Sequence, residues 1–276
     1  MKMVDLSFSQ VAAMNEHFVL HTFSSFLDSA ERSGIHKIEL WAGLPHLYAP
    51  DTTPQKVNDI ARQLRRRQME LICYTPEQCV YPFNIAAKDP ELRKYSLEYF
   101  LRNLEIAGAL EAPMFQIVPG WGLRTEPRQE ALKRSLESVG VICRAAERLG
   151  IRVVLEALEE EESNLIRTAA ELREAIDQVG AKNLGAIVDT CPMAAAGEDF
   201  EASYRVLGDK LWHTHFIDSV HQAWGDGVFP LERWLRQLDE HRYEGILTME
   251  ILNDRYLLDP SSALEKSARA LRSLLS

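Results

Sequence analysis

The chain alternates a short apolar segment with an amphipathic helical segment, and this unit occurs eight times in succession. Its 276 residues allow roughly 35 residues for each unit, which is the size of one strand–helix repeat. The apolar segments are short, as expected for parallel strands that are buried on both faces. Eight such units predict an α/β fold in which one (β/α)8 (TIM) barrel spans residues 1–276 as a single domain.

An open, doubly wound sheet is the alternative, but no glycine-rich phosphate-binding turn follows the first predicted strand. The predicted strands are residues 3–8, 37–41, 70–74, 114–118, 153–158, 184–188, 211–217 and 246–251. The predicted helices are residues 23–32, 54–67, 90–108, 127–149, 168–179, 200–207, 231–241 and 261–275. Gly34 and Gly150 indicate helix ends, and Pro54 suits the first turn of a helix.

Charge and apolar patterning exclude several classes of protein. The net charge of −10 argues against nucleic acid as the main partner. No stretch is long and apolar enough to span a membrane, and the N-terminus lacks the apolar run of a signal peptide. The four cysteines are scattered, which is typical of reduced thiols in the cytoplasm. We therefore expect a cytoplasmic protein with no membrane or nucleic-acid partner.

Four consecutive predicted strands each end with one residue that can bind a metal. These residues are Glu156, Asp189, His215 and Glu250. In a TIM barrel the carboxyl ends of the strands carry the active site. Each residue alone has a commoner interpretation, such as a helix cap or a hydrogen-bonded core histidine, but four at neighbouring strand ends predict a site for a hard divalent cation. His213, two positions before His215, is interpreted as structural.

With this quartet the chain resembles the xylose isomerase-like superfamily of sugar epimerases and isomerases, and within it the ketose 3-epimerases. The quartet separations of 33 (156 to 189), 26 (189 to 215) and 35 (215 to 250) match that family without gaps. The similarity is greatest to the branch that acts on the ketosamine fructoselysine. It extends through Ile38-Glu39-Leu40-Trp41, Tyr74-Thr75-Pro76-Glu77, Tyr81-Pro82-Phe83-Asn84, Glu162-Ser163-Asn164, Leu207-Gly208-Asp209-Lys210-Leu211 and Asp218-Ser219.

The resemblance implies an enzyme that inverts C3 of a ketose or ketosamine of the fructoselysine or psicoselysine type. Glu156 and Glu250 would be the two bases that exchange the C3 proton through an enediolate, and they would also bind the metal together with Asp189 and His215. One divalent ion is expected, with Mn²⁺ preferred and Co²⁺, Mg²⁺ or Ni²⁺ as alternatives. A homodimer or homotetramer is implied as well.

Candidate substrate-binding residues come from the loops after the strands. Glu162 matches a glutamate that contacts the terminal sugar hydroxyls in the family. His46, Tyr74 and Trp121 belong to loops rich in aromatic residues, whose faces pack against sugar C–H groups. Tyr48 and Tyr81 share that aromatic character.

Two departures from the simple-ketose enzymes concern the same loops. Where the family has a substrate-contacting histidine three residues after the aspartate, this chain has Pro192. No arginine occurs between His215 and Arg233, and His221 stands at the comparable distance. These departures favour a modified or larger ketose as the substrate.

Other functions remain open from the sequence. A tagatose- or psicose-type 3-epimerase, a hydroxypyruvate isomerase, and an inosose dehydratase or isomerase would use the same metal quartet. A sensor that binds sugar or metal without catalysis is a further alternative. The DNA-repair branch of the superfamily needs more histidines and a basic groove, which the negative charge disfavours.

Overall fold

The structure, a computed structural model, describes residues 5–79 and 82–275. Eight strands form a closed barrel in the order β1 to β8, and β8 pairs with β1. Each neighbouring pair is parallel, as strands connected through helices require. The predicted (β/α)8 barrel is therefore confirmed.

The strands are β1 Val11–Met14, β2 Lys37–Ala42, β3 Glu70–Pro76, β4 Met114–Ile117, β5 Arg152–Glu156, β6 Leu184–Asp189, β7 Leu211–His215 and β8 Ile246–Met249. The helices are α1 Phe23–Arg32, α2 Pro54–Arg66, α3 Pro90–Ala109, α4 Arg128–Arg148, α5 Ala169–Val179, α6 Thr190–Ala195, α7 Phe200–Leu207, α8 Leu231–Glu240 and α9 Pro260–Leu274. Among the described residues, no helix has the length and apolarity needed to cross a membrane.

The first strand differs from its prediction. Residues 3 and 4 lie outside the described part of the chain, and Phe8–Gln10 forms a 3₁₀ turn rather than a strand. Ser7 caps this turn, and the Gln10 side chain accepts a hydrogen bond from the Ser7 N–H in return. The barrel strand is Val11–Met14, whose four residues are all buried. Local capping therefore outweighed the apolar pattern of residues 5–8.

A short helix that the sequence analysis missed follows β6. α6 begins at Thr190, and the Asp189 side chain accepts a hydrogen bond from the Cys191 N–H at its start. Pro192 lies in the first turn, where a missing N–H costs nothing. The last residue of β6 therefore also caps the next helix.

Two apolar layers position the site. The larger packs the helices against the outside of the barrel. A smaller cluster contains Ala12, Ile72, Cys73, Met114, Val154 and Ile187. Side chains two positions apart on a strand point the same way, so Val154 lies below Glu156 and Met114 lies below Gln116. The polar site therefore lies directly on an apolar plug inside the barrel.

Candidate active site

The four predicted metal ligands meet at the carboxyl ends of β5 to β8. The Nδ1 atom of His215 is 3.0 Å from Glu156 Oε1, 3.0 Å from Glu250 Oε2 and 3.7 Å from Asp189 Oδ2. Their ligand atoms all lie within 4.8 Å of one another. Glu156, Asp189 and His215 are buried, and Glu250 is partly buried. Three carboxylates and one imidazole thus converge on one point.

This arrangement fits a divalent cation. His215 Nδ1 is buried and has no hydrogen-bond partner among the described residues, although carboxylate oxygens lie 3.0 Å away. Three carboxylates held this close repel each other unless positive charge lies between them. Carboxylate oxygens with a single imidazole suit Mn²⁺, Co²⁺ or Mg²⁺, whereas the sites that bind structural zinc are rich in sulfur ligands. Glu156, Asp189, His215 and Glu250 are therefore the residues that could hold the ion.

Glu39 fixes the orientation of His215 from the opposite side of the barrel. Its Oε1 lies 3.1 Å from His215 Nε2, its Oε2 lies 2.7 Å from His213 Nε2, and the Thr75 hydroxyl donates to it. Burial opposes ionisation of Glu39, but the two histidines outweigh it and lower its pKa. The carboxylate therefore holds a proton on His215 Nε2, which leaves the Nδ1 lone pair facing the quartet. His213 serves as a buried partner of Glu39, in agreement with its structural interpretation.

A chain of two amides positions Glu156. Gln116 Nε2 donates to Glu156 Oε2, Gln78 Nε2 donates to Gln116 Oε1, and the Val118 N–H donates to Gln78 Oε1. One oxygen of Glu156 is therefore occupied by an amide, while the other faces His215. Burial raises the pKa of Glu156 to about 7, against the lowering effect of His215. The sequence analysis missed Gln116, although a polar residue within a buried strand was a signal for it.

His221 contacts the same carboxylates from the loop after β7. Its Nε2 is 3.3 Å from Asp189 Oδ2 and 3.4 Å from Glu250 Oε2. Burial lowers the pKa of His221, but the neighbouring Asp189 charge outweighs this and raises it well above the usual value. The loop thus places an imidazole at the edge of the quartet.

Backbone strain in this loop is offset by one buried carboxylate. Val220 and His221 have φ angles of 49° and 52°, a left-handed conformation that costs a non-glycine residue about 1 kcal/mol or more. Asp218 accepts hydrogen bonds from four backbone N–H groups, those of Ser219, Gly225, Gly227 and Phe229. These bonds hold the loop in the conformation that presents His221.

Two adjoining cavities lie at this end of the barrel. The inner cavity, of about 100 Å³, has carboxylates and His221 in its wall and no lysine or arginine among the described residues that line it. Its acidic lining residues are Glu16, Glu77, Glu156, Glu162, Asp189 and Glu250. The outer cavity, of about 460 Å³, includes Trp121, Arg124 and Glu161. Both cavities are lined by Gln78, Cys79, Val118, Leu158 and Glu162, so they share one wall.

The structure separates the predicted substrate-binding residues into two groups. Glu162 and His221 line the inner cavity, and Trp121, which is 43% exposed, lines the outer one. His46 and Tyr74 are buried and line neither cavity. His46 contacts Asn15 and the His21 carbonyl instead, at 2.8 and 2.9 Å.

Tyr74 packs on the outer side of the barrel. Its hydroxyl donates to Asn103 of α3 at 2.8 Å, and its ring stacks on Phe115. The geometry therefore gives no support for a direct substrate contact by His46 or Tyr74. Tyr81 lies outside the described residues.

Comparisons with known proteins agree with the barrel fold. A profile described as xylose isomerase-like TIM barrel matches residues 27–274. The chain is 30% identical to the fructoselysine 3-epimerase of Escherichia coli O157:H7 over 256 residues, which cover 91% of this chain and 92% of that protein. It is 26% identical to the D-psicose 3-epimerase of Ruminiclostridium cellulolyticum over 172 residues, or 60% of this chain and 59% of that one. The crystal structure of a 3-keto-D-glucoside 4-epimerase from E. coli superimposes with a TM-score of 0.81 at 19% identity, covering 96% of this chain and 99% of that one.

Proposed function

Because the chain belongs to the xylose isomerase-like TIM barrel family and to its sugar 3-epimerases, we propose that it inverts C3 of a ketose or ketosamine by two-base proton exchange. The observation that carries this proposal is the pairing of Glu156 and Glu250, each with one carboxylate oxygen 3.0 Å from His215 Nδ1. They come from β5 and from the end of β8, so they approach the same point from different sides. Inversion needs such a pair, because one base does not easily reach both faces of a carbon.

The residues divide the chemistry between them. One of the two glutamates removes the C3 proton, which the neighbouring carbonyl makes acidic, and the other returns a proton to the opposite face. A divalent cation bound by the quartet, proposed to be Mn²⁺ with Co²⁺, Mg²⁺ or Ni²⁺ as alternatives, would supply positive charge that stabilises the oxygens beside the reacting carbon. Gln116 keeps Glu156 in place during the proton transfer, since its amide occupies the second carboxylate oxygen. Asp189 serves as a ligand, because one of its oxygens already caps α6.

The proposed substrate is a ketosamine of the fructoselysine or psicoselysine type. Two observations support it beyond the 30% identity to a fructoselysine 3-epimerase. The outer cavity gives room for a substituent beyond the sugar. The inner cavity has no described lysine or arginine in its wall, which disfavours phosphorylated sugars. We propose that Glu162 and His221 bind sugar hydroxyls and that Trp121 packs against the substituent.

A simple ketose of the psicose or tagatose type is the second candidate. It is supported by the 26% identity to a D-psicose 3-epimerase, which covers a smaller part of the chain. An aldose–ketose isomerase with the same quartet would exchange the C1 proton, and a dehydratase would release water instead of forming the C3 epimer. Exchange at C3 together with formation of the epimer therefore distinguishes these functions.

The test is deuterium incorporation at C3. Purified protein is stripped of metal, reloaded with Mn²⁺, and incubated in D₂O with fructoselysine, psicoselysine, fructose, psicose and tagatose. Mass spectrometry and NMR should show one deuteron at C3, together with formation of the epimer. Glu156→Gln and Glu250→Gln should each lose activity by at least about 10²- to 10⁴-fold.

Glu70→Gln is the matched control, because Glu70 lies at the opposite end of the barrel in an exposed ion pair with Lys37. It should keep the activity of the unmodified protein. Full activity in either Glu156→Gln or Glu250→Gln would refute the two-base assignment. Absence of C3 exchange with every ketose and metal would refute the epimerase.

A further inference from the structure

Glu16 is a buried carboxyl group in the wall of the inner cavity that the proposed mechanism leaves unused. It follows β1, at the start of a short 3₁₀ turn, and only 7% of it is exposed. It lines the inner cavity together with Glu77 and Glu250. Among the described residues, no hydrogen-bond donor or cation pairs with it. A carboxyl group in this position is costly unless a ligand supplies a partner.

The charged groups around Glu16 are already paired with others. Trp41 Nε1 and the Cys79 N–H donate to Glu77 at 2.9 and 2.7 Å. His221 is directed at Asp189 and Glu250, and His215 lies between Glu39 and the quartet. Burial raises the pKa of Glu16, and Glu250 and Glu77 raise it further against the lowering effect of His221 and His215. Glu16 is thus the one buried carboxyl group of the inner cavity without a hydrogen-bond or ion-pair partner among the described residues.

We propose that Glu16 selects a ketosamine over a neutral ketose by pairing its carboxylate with the protonated amine that such a sugar carries beside its carbonyl. This inference rests on the proposed function and names the part of the substrate that the site recognises. A ketosamine has a secondary ammonium group where a simple ketose has the C1 hydroxyl. The ammonium donates a charge-assisted hydrogen bond, which is about twice as strong as a neutral one.

The outer cavity does not offer an equivalent free carboxylate at Glu160. That residue is paired with Arg124 at 3.1 Å and with Arg167 at 2.5 Å. Among the described residues that line the outer cavity, Arg124 is the only lysine or arginine. Glu161 and Glu162 also line the outer cavity, but both are exposed to solvent. The buried, unpaired carboxyl group is therefore Glu16 in the inner cavity, and the outer cavity is left to accommodate the substituent on the amine.

The experiment compares two substrates that differ only at this nitrogen. One is fructoselysine, and the other is an analogue in which an ether oxygen replaces the amine. kcat/KM is measured by C3 exchange, and binding to the Mn²⁺-loaded and metal-free proteins is measured by calorimetry. The variants are Glu16→Gln, which removes the charge at constant shape, and Glu16→Asp, which keeps it; Glu70→Gln is the control.

We expect Glu16→Gln to lower kcat/KM for fructoselysine about 10- to 100-fold, mainly through KM, with a matching loss of affinity. For the ether analogue and for fructose the change should stay below about threefold. Glu16→Asp should retain a preference for the amine, and the small change of Glu16→Gln on the ether analogue shows that its loss on fructoselysine does not reflect misfolding.

Two results with Glu16→Gln would overturn the inference, and two results with the unmodified protein would do so as well. An equal loss on the amine and the ether would make Glu16 a general sugar contact, and no loss on either would exclude it from the substrate site. If the unmodified protein exchanges C3 of neutral ketoses but neither binds nor prefers fructoselysine, this inference fails while the epimerase proposal stands. If nothing is exchanged and the amine is not bound in preference to the ether, both fail.

Discussion

Replacing Glu39 with glutamine should weaken metal binding without removing any metal ligand. The substitution keeps the side-chain shape but removes the charge that holds His215 from across the barrel. The amide oxygen can still accept from His215 Nε2 and from Thr75. The amide nitrogen must then face His213 Nε2, where the carboxylate oxygen lies in the unmodified protein. The other ring nitrogen of His213, Nδ1, has no hydrogen-bond partner among the described residues. His215 thus keeps its place but becomes a weaker electron donor.

The size of the effect follows from the contact that changes. A hydrogen bond to a charged group contributes about 1.5–3 kcal/mol and a neutral one about 0.5–1.5 kcal/mol. The Glu39–His215 contact at 3.1 Å should therefore lose about 1–2 kcal/mol, which corresponds to roughly 5- to 30-fold weaker metal binding. This agrees with the 10- to 100-fold range typical of residues that orient metal ligands.

Calorimetric titration of the metal-free protein with Mn²⁺ measures this change directly. Glu70→Gln, which also removes one glutamate charge but at the exposed end of β3, should bind Mn²⁺ like the unmodified protein. Circular dichroism should show that Glu39→Gln is folded. An unchanged Mn²⁺ affinity in folded Glu39→Gln would refute the role of Glu39 in orienting His215.

Three further predictions concern residues around and below the site. Gln116→Leu should lower kcat about tenfold with little change in KM, because Glu156 loses the amide that positions it; an unchanged kcat would contradict this. Asp218→Asn should lower the free energy of unfolding in urea by about 2–4 kcal/mol, since an amide cannot accept all four backbone N–H groups; a loss below about 0.5 kcal/mol would contradict it. Burial lowers the pKa of His17 to about 3 in the folded protein, whereas an unfolded chain has the ordinary histidine pKa of about 6.5. Below pH 6.5 the unfolded chain therefore binds a proton that the folded protein does not bind, and the free energy of unfolding falls. The loss should be about 2 kcal/mol at pH 5, and urea unfolding of His17→Leu at pH 8 and pH 5 should lack this part of the pH dependence.

The regular parts of the fold follow from local patterns. Eight apolar segments separated by helices identify the barrel, and the residue type at the end of β5 to β8 identifies the quartet. Local patterns failed where a cap competed with an apolar run, as at Ser7 before β1, and where one aspartate ended a strand and began a helix, as at Asp189. Both failures concern the bounds of elements rather than the order of the barrel.

The supporting residues were harder to find because they act across the barrel. Glu39 and His215 are 176 positions apart in sequence, and no short pattern connects them. Glu16 lacked any signal, since a glutamate in a loop is ordinarily exposed. Tyr74 points outwards because its neighbour Thr75 points into the barrel towards Glu39, an orientation that the sequence alone does not show.

The two halves of the barrel hold different parts of the site. Glu156, Asp189, His215 and Glu250 all come from β5 to β8, whereas Glu39 and Gln116 come from β2 and β4 and Glu16 follows β1. An exposed turn at Gly150 separates the halves. If the quartet binds an ion as proposed, substitutions in the first half would change how strongly that ion is held and whether an amine is preferred, while the four proposed ligands stay unaltered. A protein divided in this way would acquire a new substrate through mutations that leave its proposed metal ligands in place.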